Sequence, residues 1–240
     1  MERAPTLAPE EDRGFYPIHE EDHVVQGPAH DRQSVYLTGA LGAHRPDLWV
    51  LGEACLYWEP GNKQRYVAPD VAVVDSPPPD PLPTVYLQWQ DPPLLFVAEV
   101  ASDSTRSHDV AGKLATYEGG LRVPEYLYAD PDRRDLRLWR LMEGRYHRVR
   151  AEPDGRLWSA QLGLWFGLDE SGFLRVYTRE RGMLLTHAEV SMRAEREAEQ
   201  RADAERRAAA EATLRVEAER RLAEAMAELE RLRGSNGATD

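Results

Sequence analysis

The sequence is short of several features that would announce a function. It has a single cysteine, Cys55, which excludes an intramolecular disulfide. No apolar run approaches the roughly 18 residues that a membrane span needs. The first residues are acidic and polar where a secretory signal needs a basic start and an apolar stretch. A reducing cytoplasm is the expected setting. Net positive charge is lacking as well: 30 Lys plus Arg stand against 42 Asp plus Glu, a formal charge of −12. Such a chain does not coat nucleic acid by general attraction, because phosphates are neutralised by Lys and Arg. Any nucleic-acid contact has to be local or assisted by bound metal. No helix-turn-helix, zinc finger or glycine-rich phosphate loop is visible. Lysine is nearly missing too, with 28 Arg against Lys63 and Lys113 alone. Arginine would usually stand in for lysine on a solvated surface of this chain, so each surviving lysine is informative.

What is present suffices for one good-sized domain and an appendage, at 240 residues and 42% hydrophobic content. Residues 1–30 hold Pro5, Pro9, Pro17 and Pro28 among many acidic residues and read as an irregular lead-in, with a short docking segment around Phe15–Ile18. Leu48–Trp58 and Arg65–Val67 read as strands joined by the turn residues Glu59-Pro60-Gly61-Asn62. Val71–Val74 is a short buried strand preceded by Pro69-Asp70, and Leu94–Val100 is a near-continuous apolar run suited to a central strand. From Ser107 to Glu118 the spacing of Val110, Leu114 and Tyr117 predicts a helix, stopped by Gly119-Gly120. Strands follow at Glu125–Ala129 and Leu136–Leu141. Residues 145–179 read as short strands that extend the sheet and form its edge.

The fold class expected is therefore α/β (α+β), a mixed sheet core flanked by helices over residues 31–185. At Thr186 the chain changes to Ala, Glu and Arg without Pro or Gly, which predicts a long helix over 186–233 before a disordered 234–240. Leu222, Ala225, Leu229 and Leu232 have the spacing of a coiled-coil seam, although Arg215 and Glu211 interrupt it upstream. From residue 187 onward, 10 Arg face 13 acidic residues, so the acidity belongs mainly to the globular part.

Glu99 is the sharpest anomaly. An ionised carboxylate within an apolar strand costs several kcal/mol unless it is paired or bound to a cation. An arginine salt bridge or an edge position open to solvent would also serve. Asp70, alone, reads equally as a turn residue bonding local backbone. The combination changes the balance: Asp at the head of one strand, Glu inside the next, Lys113 on the helix that follows. Two carboxylates can hold Mg²⁺ and leave positions for water and phosphate, and an ammonium group can stabilise developing charge. Asp109, Lys113 and Tyr117 recur at i, i+4 and i+8 and share one side of that helix.

These residues carry a family resemblance. APDVAVV at 68–74, FVAEVASDSTRSHDVAGKLATY at 96–117 and VPEYLYADP at 123–131 resemble the Uma2 family, also designated DUF820, a bacterial branch of the PD-(D/E)XK nuclease superfamily. The resemblance implies a restriction-endonuclease-like fold, Asp70 and Glu99 as metal ligands, and Lys113 as the catalytic lysine. It departs from the superfamily's short pattern at Ala101, where a lysine would stand two residues after Glu99. In proteins that look like this one, the lysine has moved to the following helix. Ser102 and Asp109 match recurring family positions, as phosphate contact or orienter of Lys113, or simply as turn and helix-start residues. Glu53 is a candidate further ligand, Tyr117 a candidate supporting residue, and His108 a solvated helix-end histidine.

The function implied is a Mg²⁺-dependent endonuclease (Mn²⁺ as a possible substitute) acting on DNA, dimeric through the C-terminal helix. A different class of reading is a catalytically silent scaffold that assembles through that helix.

Overall fold

The computed structural model describes residues 12–18, 27–101 and 112–236. They divide between two units, Met1–Thr186 and His187–Asp240.

After a short 3-10 helix, Arg13–Phe15, the described residues of the first unit form α1 (Pro28–His44), Pro28 standing in the first turn where its missing N–H costs nothing. This helix cuts across the boundary at residue 30 that the sequence suggested. The reason is visible on its core-facing stripe, where His30, Gln33 and Ser34 precede Leu37 and Leu41. Half of that stripe is polar, so the apolar periodicity that marks a helix is weak over its first turns. The polar groups find partners inside the fold. Gln33 Oε1 accepts from Leu174 N at 3.1 Å, and the Tyr36 hydroxyl accepts from Val176 N at 3.0 Å while donating to Leu184 O at 2.7 Å.

Twelve strands follow among the described residues: β1 (Trp49–Gly52), β2 (Leu56–Tyr57), β3 (Tyr66–Val67), β4 (Val71–Val74), β5 (Tyr86–Leu87), β6 (Leu94–Val100), β7 (Glu125–Asp130), β8 (Asp135–Met142), β9 (Arg145–Arg148), β10 (Leu157–Ser159), β11 (Leu164–Leu168) and β12 (Leu174–Tyr177). The main sheet is ordered β1-β4-β6-β7-β8-β9, with β6 and β7 parallel and the other neighbours antiparallel. A parallel pair cannot be closed by a tight turn. The long connection from β6 to β7 therefore carries the helical segment beneath the sheet, which ends in a π turn, Thr116–Gly120.

Two expectations are corrected. Leu48–Trp58 is not one strand: the backbone bends at Glu53, whose φ is 49°, sending β1 into the main sheet and β2 into a small sheet ordered β3-β2-β5. Residues 145–179 do not all extend the main sheet. Only β9 does, as a charged edge strand suited to discourage pairing with other chains. Strands β10, β11 and β12 form a separate sheet that packs on the main one, with Phe166 stacked on Phe96 at 5.3 Å.

Alternation along the central strands sorts the core into two layers. Val71, Val73, Phe96, Ala98 and Leu127 pack with α1 and the β10-β11-β12 sheet, while Ala72, Val74, Val97 and Tyr126 pack with Tyr117 and Leu121. Each large apolar side chain so buried stabilises by about 1.5–3 kcal/mol. Glu125 pins the layers together from a fully buried position, accepting from Arg140 Nε at 2.8 Å, Ser159 Oγ at 2.5 Å and Ala160 N at 3.0 Å. The 12–18 segment adds Tyr16, buried against Tyr57, and is fastened by Arg13, which donates to both oxygens of Asp91 at 2.9 and 2.6 Å.

The second unit is one helix, His187–Asn236. Its surface carries ion pairs one turn apart, including Arg193 with Glu197 and Arg215 with Glu219. Each such pair supports the helix by only about 0.2–0.5 kcal/mol. Leu222, Met226 and Leu229 stand exposed on it. Among the described residues no helix is long and apolar enough to cross a membrane.

Candidate active site

Asp70 leads into β4 and is 4% exposed. Its Oδ2 accepts from the Val100 backbone N–H at 2.6 Å, so the carboxylate occupies the end of the β4–β6 ladder beside Glu99. Glu99, 6% exposed, lies on the sheet face opposite to Phe96, Ala98 and Val100. The arrangement follows from the alternation: the residue that interrupts the apolar run points toward the helical segment, and that segment supplies what burial demands.

Lys113 Nζ donates to Glu99 Oε2 at 3.0 Å, and the Tyr117 hydroxyl donates to Oε1 at 2.5 Å. Four residues apart on a helix, the two donors sit one above the other. Tyr117 lies within the π turn, a wide turn found frequently at functional positions. Burial, with the Asp70 charge behind it, pushes the Glu99 carboxyl up to about 8 against the opposing pull of Lys113 and the Tyr117 hydrogen bond. Burial and the Glu99 carboxylate hold the Tyr117 hydroxyl well above its ordinary range.

The structure thus brings Asp70, Glu99, Lys113 and Tyr117 together. Glu53 is exposed at the bend after β1, not on a strand; its N–H donates to the Asp70 carbonyl at 3.3 Å, and its charge acts on His30. Ser102, His108 and Asp109 lie outside the described residues.

One residue of the cluster has no place in the sequence reading. His30, in the first turn of α1, sets Nε2 at 3.1 Å from Asp70 Oδ1 with both side chains buried. Burial alone would lower its pKa, but the hydrogen bond with Asp70 and the charges of Asp70, Asp31 and Glu53 raise it overall. A helix start at Gly27-Pro28 is the one sequence signal near it, and that places His30 on a helix but not beside Asp70. His30 also walls a cavity of about 510 Å³ bounded by Gly27, Ala101, Pro131 and Phe173.

Against known proteins, a family model covers residues 7–175 and is described as "Putative restriction endonuclease". The chain belongs to the Uma2 family. Uma2 membership places it in a nuclease family. No curated protein matches the chain. Among solved structures, it is similar to a putative nuclease belonging to DUF820 from Anabaena variabilis ATCC 29413, a crystal structure at 1.96 Å. The two are 12% identical, with a TM-score of 0.43, over 60% of this chain and 81% of that one.

The donor set of this Uma2 protein is compatible with a small hard cation. Asp70 and Glu99 offer four carboxylate oxygens, each already accepting one hydrogen bond and each with a second lone pair. Among the described residues, no group of three His, Cys, Asp or Glu side chains converges in a metal-holding arrangement.

Proposed function

We propose that this Uma2 protein is a metal-dependent endonuclease that hydrolyses phosphodiester bonds of DNA at the Asp70–Glu99 cluster. The observation that carries the reading is Glu99 itself: a carboxylate buried near the end of the central strand, beside a second carboxylate and against one of the chain's two lysines. Asp70 and Glu99 would hold Mg²⁺, or Mn²⁺ in its place. When bound, the ion supplies positive charge to a phosphoryl oxygen and lowers the pKa of a water.

The chain's own residues do the rest. Lys113 keeps an ammonium group beside Glu99 and, at 20% side-chain exposure, has access to solvent and to charge developing on a phosphate. Tyr117 fixes Glu99 Oε1, and the Val100 N–H fixes Asp70 Oδ2, so both carboxylates are oriented before substrate arrives. The overall charge of −12 confines DNA binding to this neighbourhood. We also infer self-association through the exposed Leu222, Met226 and Leu229 stripe of the C-terminal helix, which would present two sites to the two strands of a duplex.

A second reading, a silent nuclease fold that only assembles, is favoured by the same cluster's internal pairing, since each carboxylate oxygen has a donor from the chain. The test is cleavage of supercoiled plasmid DNA, and of an RNA control, with Mg²⁺ or Mn²⁺. Metal-dependent nicking that disappears in Asp70→Ala and Glu99→Ala supports the enzyme. An inert wild type with no metal uptake supports the scaffold.

A further inference from the structure

We propose that His30 is a positioning residue of the site, holding Asp70 in the orientation that binds metal. This rests on the reading of Asp70 and Glu99 as metal ligands. Asp70 is gripped at both oxygens: His30 Nε2 lies 3.1 Å from Oδ1, and the Val100 N–H is 2.6 Å from Oδ2. The second grip comes from the strand that carries Glu99. The first comes from α1, an element distant in sequence and anchored elsewhere through Gln33 and Tyr36. The carboxylate is therefore fixed between two rigid elements and cannot rotate without losing one partner.

The histidine at this place carries a cost at one nitrogen that its bond to Asp70 at the other offsets. Its side chain is 3% exposed and its Nδ1 has no hydrogen bond, the nearest carboxylate being Asp31 Oδ1 at 3.8 Å. Leaving a ring nitrogen unsatisfied in the interior is unfavourable, and an apolar residue, which would continue the stripe of Leu37 and Leu41, would instead leave Asp70 Oδ1 without its donor. The imidazole is accounted for by what Nε2 does. Both partners of the Asp70 carboxylate, His30 and Val100, also line the cavity of about 510 Å³ beside α1. Outer contacts of this kind tune how tightly carboxylate ligands hold their ion.

The test is Mn²⁺ binding to the full chain by titration calorimetry at one pH, with folding checked by circular dichroism. His30→Met fills the space without a donor, and His30→Gln returns an amide N–H near the position of Nε2. Mn²⁺ affinity is expected to fall by about 10–100-fold in His30→Met and to stay near wild type in His30→Gln. Equal affinity in wild type and His30→Met overturns the proposal, as does an equal loss in both variants, which would make the site demand an imidazole or its packing. No Mn²⁺ uptake by wild type overturns the metal-site reading itself and this role with it, so the two failures are told apart by which protein fails to bind.

Discussion

Tyr117 and Glu99 share a 2.5 Å hydrogen bond inside the protein, the hydroxyl from a π turn and the carboxylate from the sheet's central strand. Tyr117→Phe removes the donor and nothing else of size. Glu99 Oε1 is then left unsatisfied in a buried site, which costs about 1–3 kcal/mol. A lower urea midpoint with an unchanged slope is the expected result.

Glu99→Gln is expected to do the opposite, with a defined pH dependence. The folded pKa of about 8 lies above the ordinary 4.5, so the folded chain keeps a proton that the unfolded chain releases. Stability from this group is full below the unfolded value and is lost as pH rises through the folded one. The variant escapes that loss. In chelator, its melting temperature should match wild type near the lower value and exceed it by about 5 °C or more above the higher one. A wild type that gains on the variant as pH rises would sink this account.

Glu125 offers the contrast. It is as buried as Glu99, but Arg140, Ser159 and two backbone N–H groups satisfy it. Glu125→Ala strands the Arg140 guanidinium and the β10–β11 turn. Destabilisation of about 1–3 kcal/mol is expected, read by chemical denaturation.

Lys113→Arg keeps a positive charge but replaces a compact ammonium with a planar fork of different reach and hydrogen-bond geometry. Under the nuclease reading, cleavage falls about 100-fold or more in this variant, as in Lys113→Ala. Retained activity in Lys113→Arg would reduce Lys113 to a general electrostatic role.

Removing residues 187–240 should lower the oligomeric mass measured by light scattering, while the first unit, with its own cores, keeps its circular dichroism. An unchanged ratio of mass to chain mass removes the C-terminal helix from assembly.

Legibility in the sequence followed locality. Glu99 stood out because it broke an apolar run, and Tyr117 because it repeats the spacing of Lys113. The paired strands β6 and β7 were readable from their own residues. His30 was not, because its meaning depends on Asp70, a contact between separate elements, and because its helix buries polar side chains. The separate sheet of β10, β11 and β12 was hidden for a related reason: alternation tells which face of a strand is buried, but not which strand lies beside it. Likewise, β1 and β2 looked like one strand until the positive φ at Glu53 divided them.

The anchoring of α1 sets an order of events during synthesis. Tyr36 is made early, yet its hydroxyl waits for Val176 and Leu184, which lie 140 and 148 residues further along the chain. The carboxylate and its two helix donors, by contrast, are neighbours in sequence and can meet as soon as β6 and the following helix have left the ribosome. His30 reaches Asp70 from a helix whose seat is completed last. The ingredients of the site thus lie close together in the sequence, while the seat of the helix that carries His30 draws on residues near the far end of the globular unit.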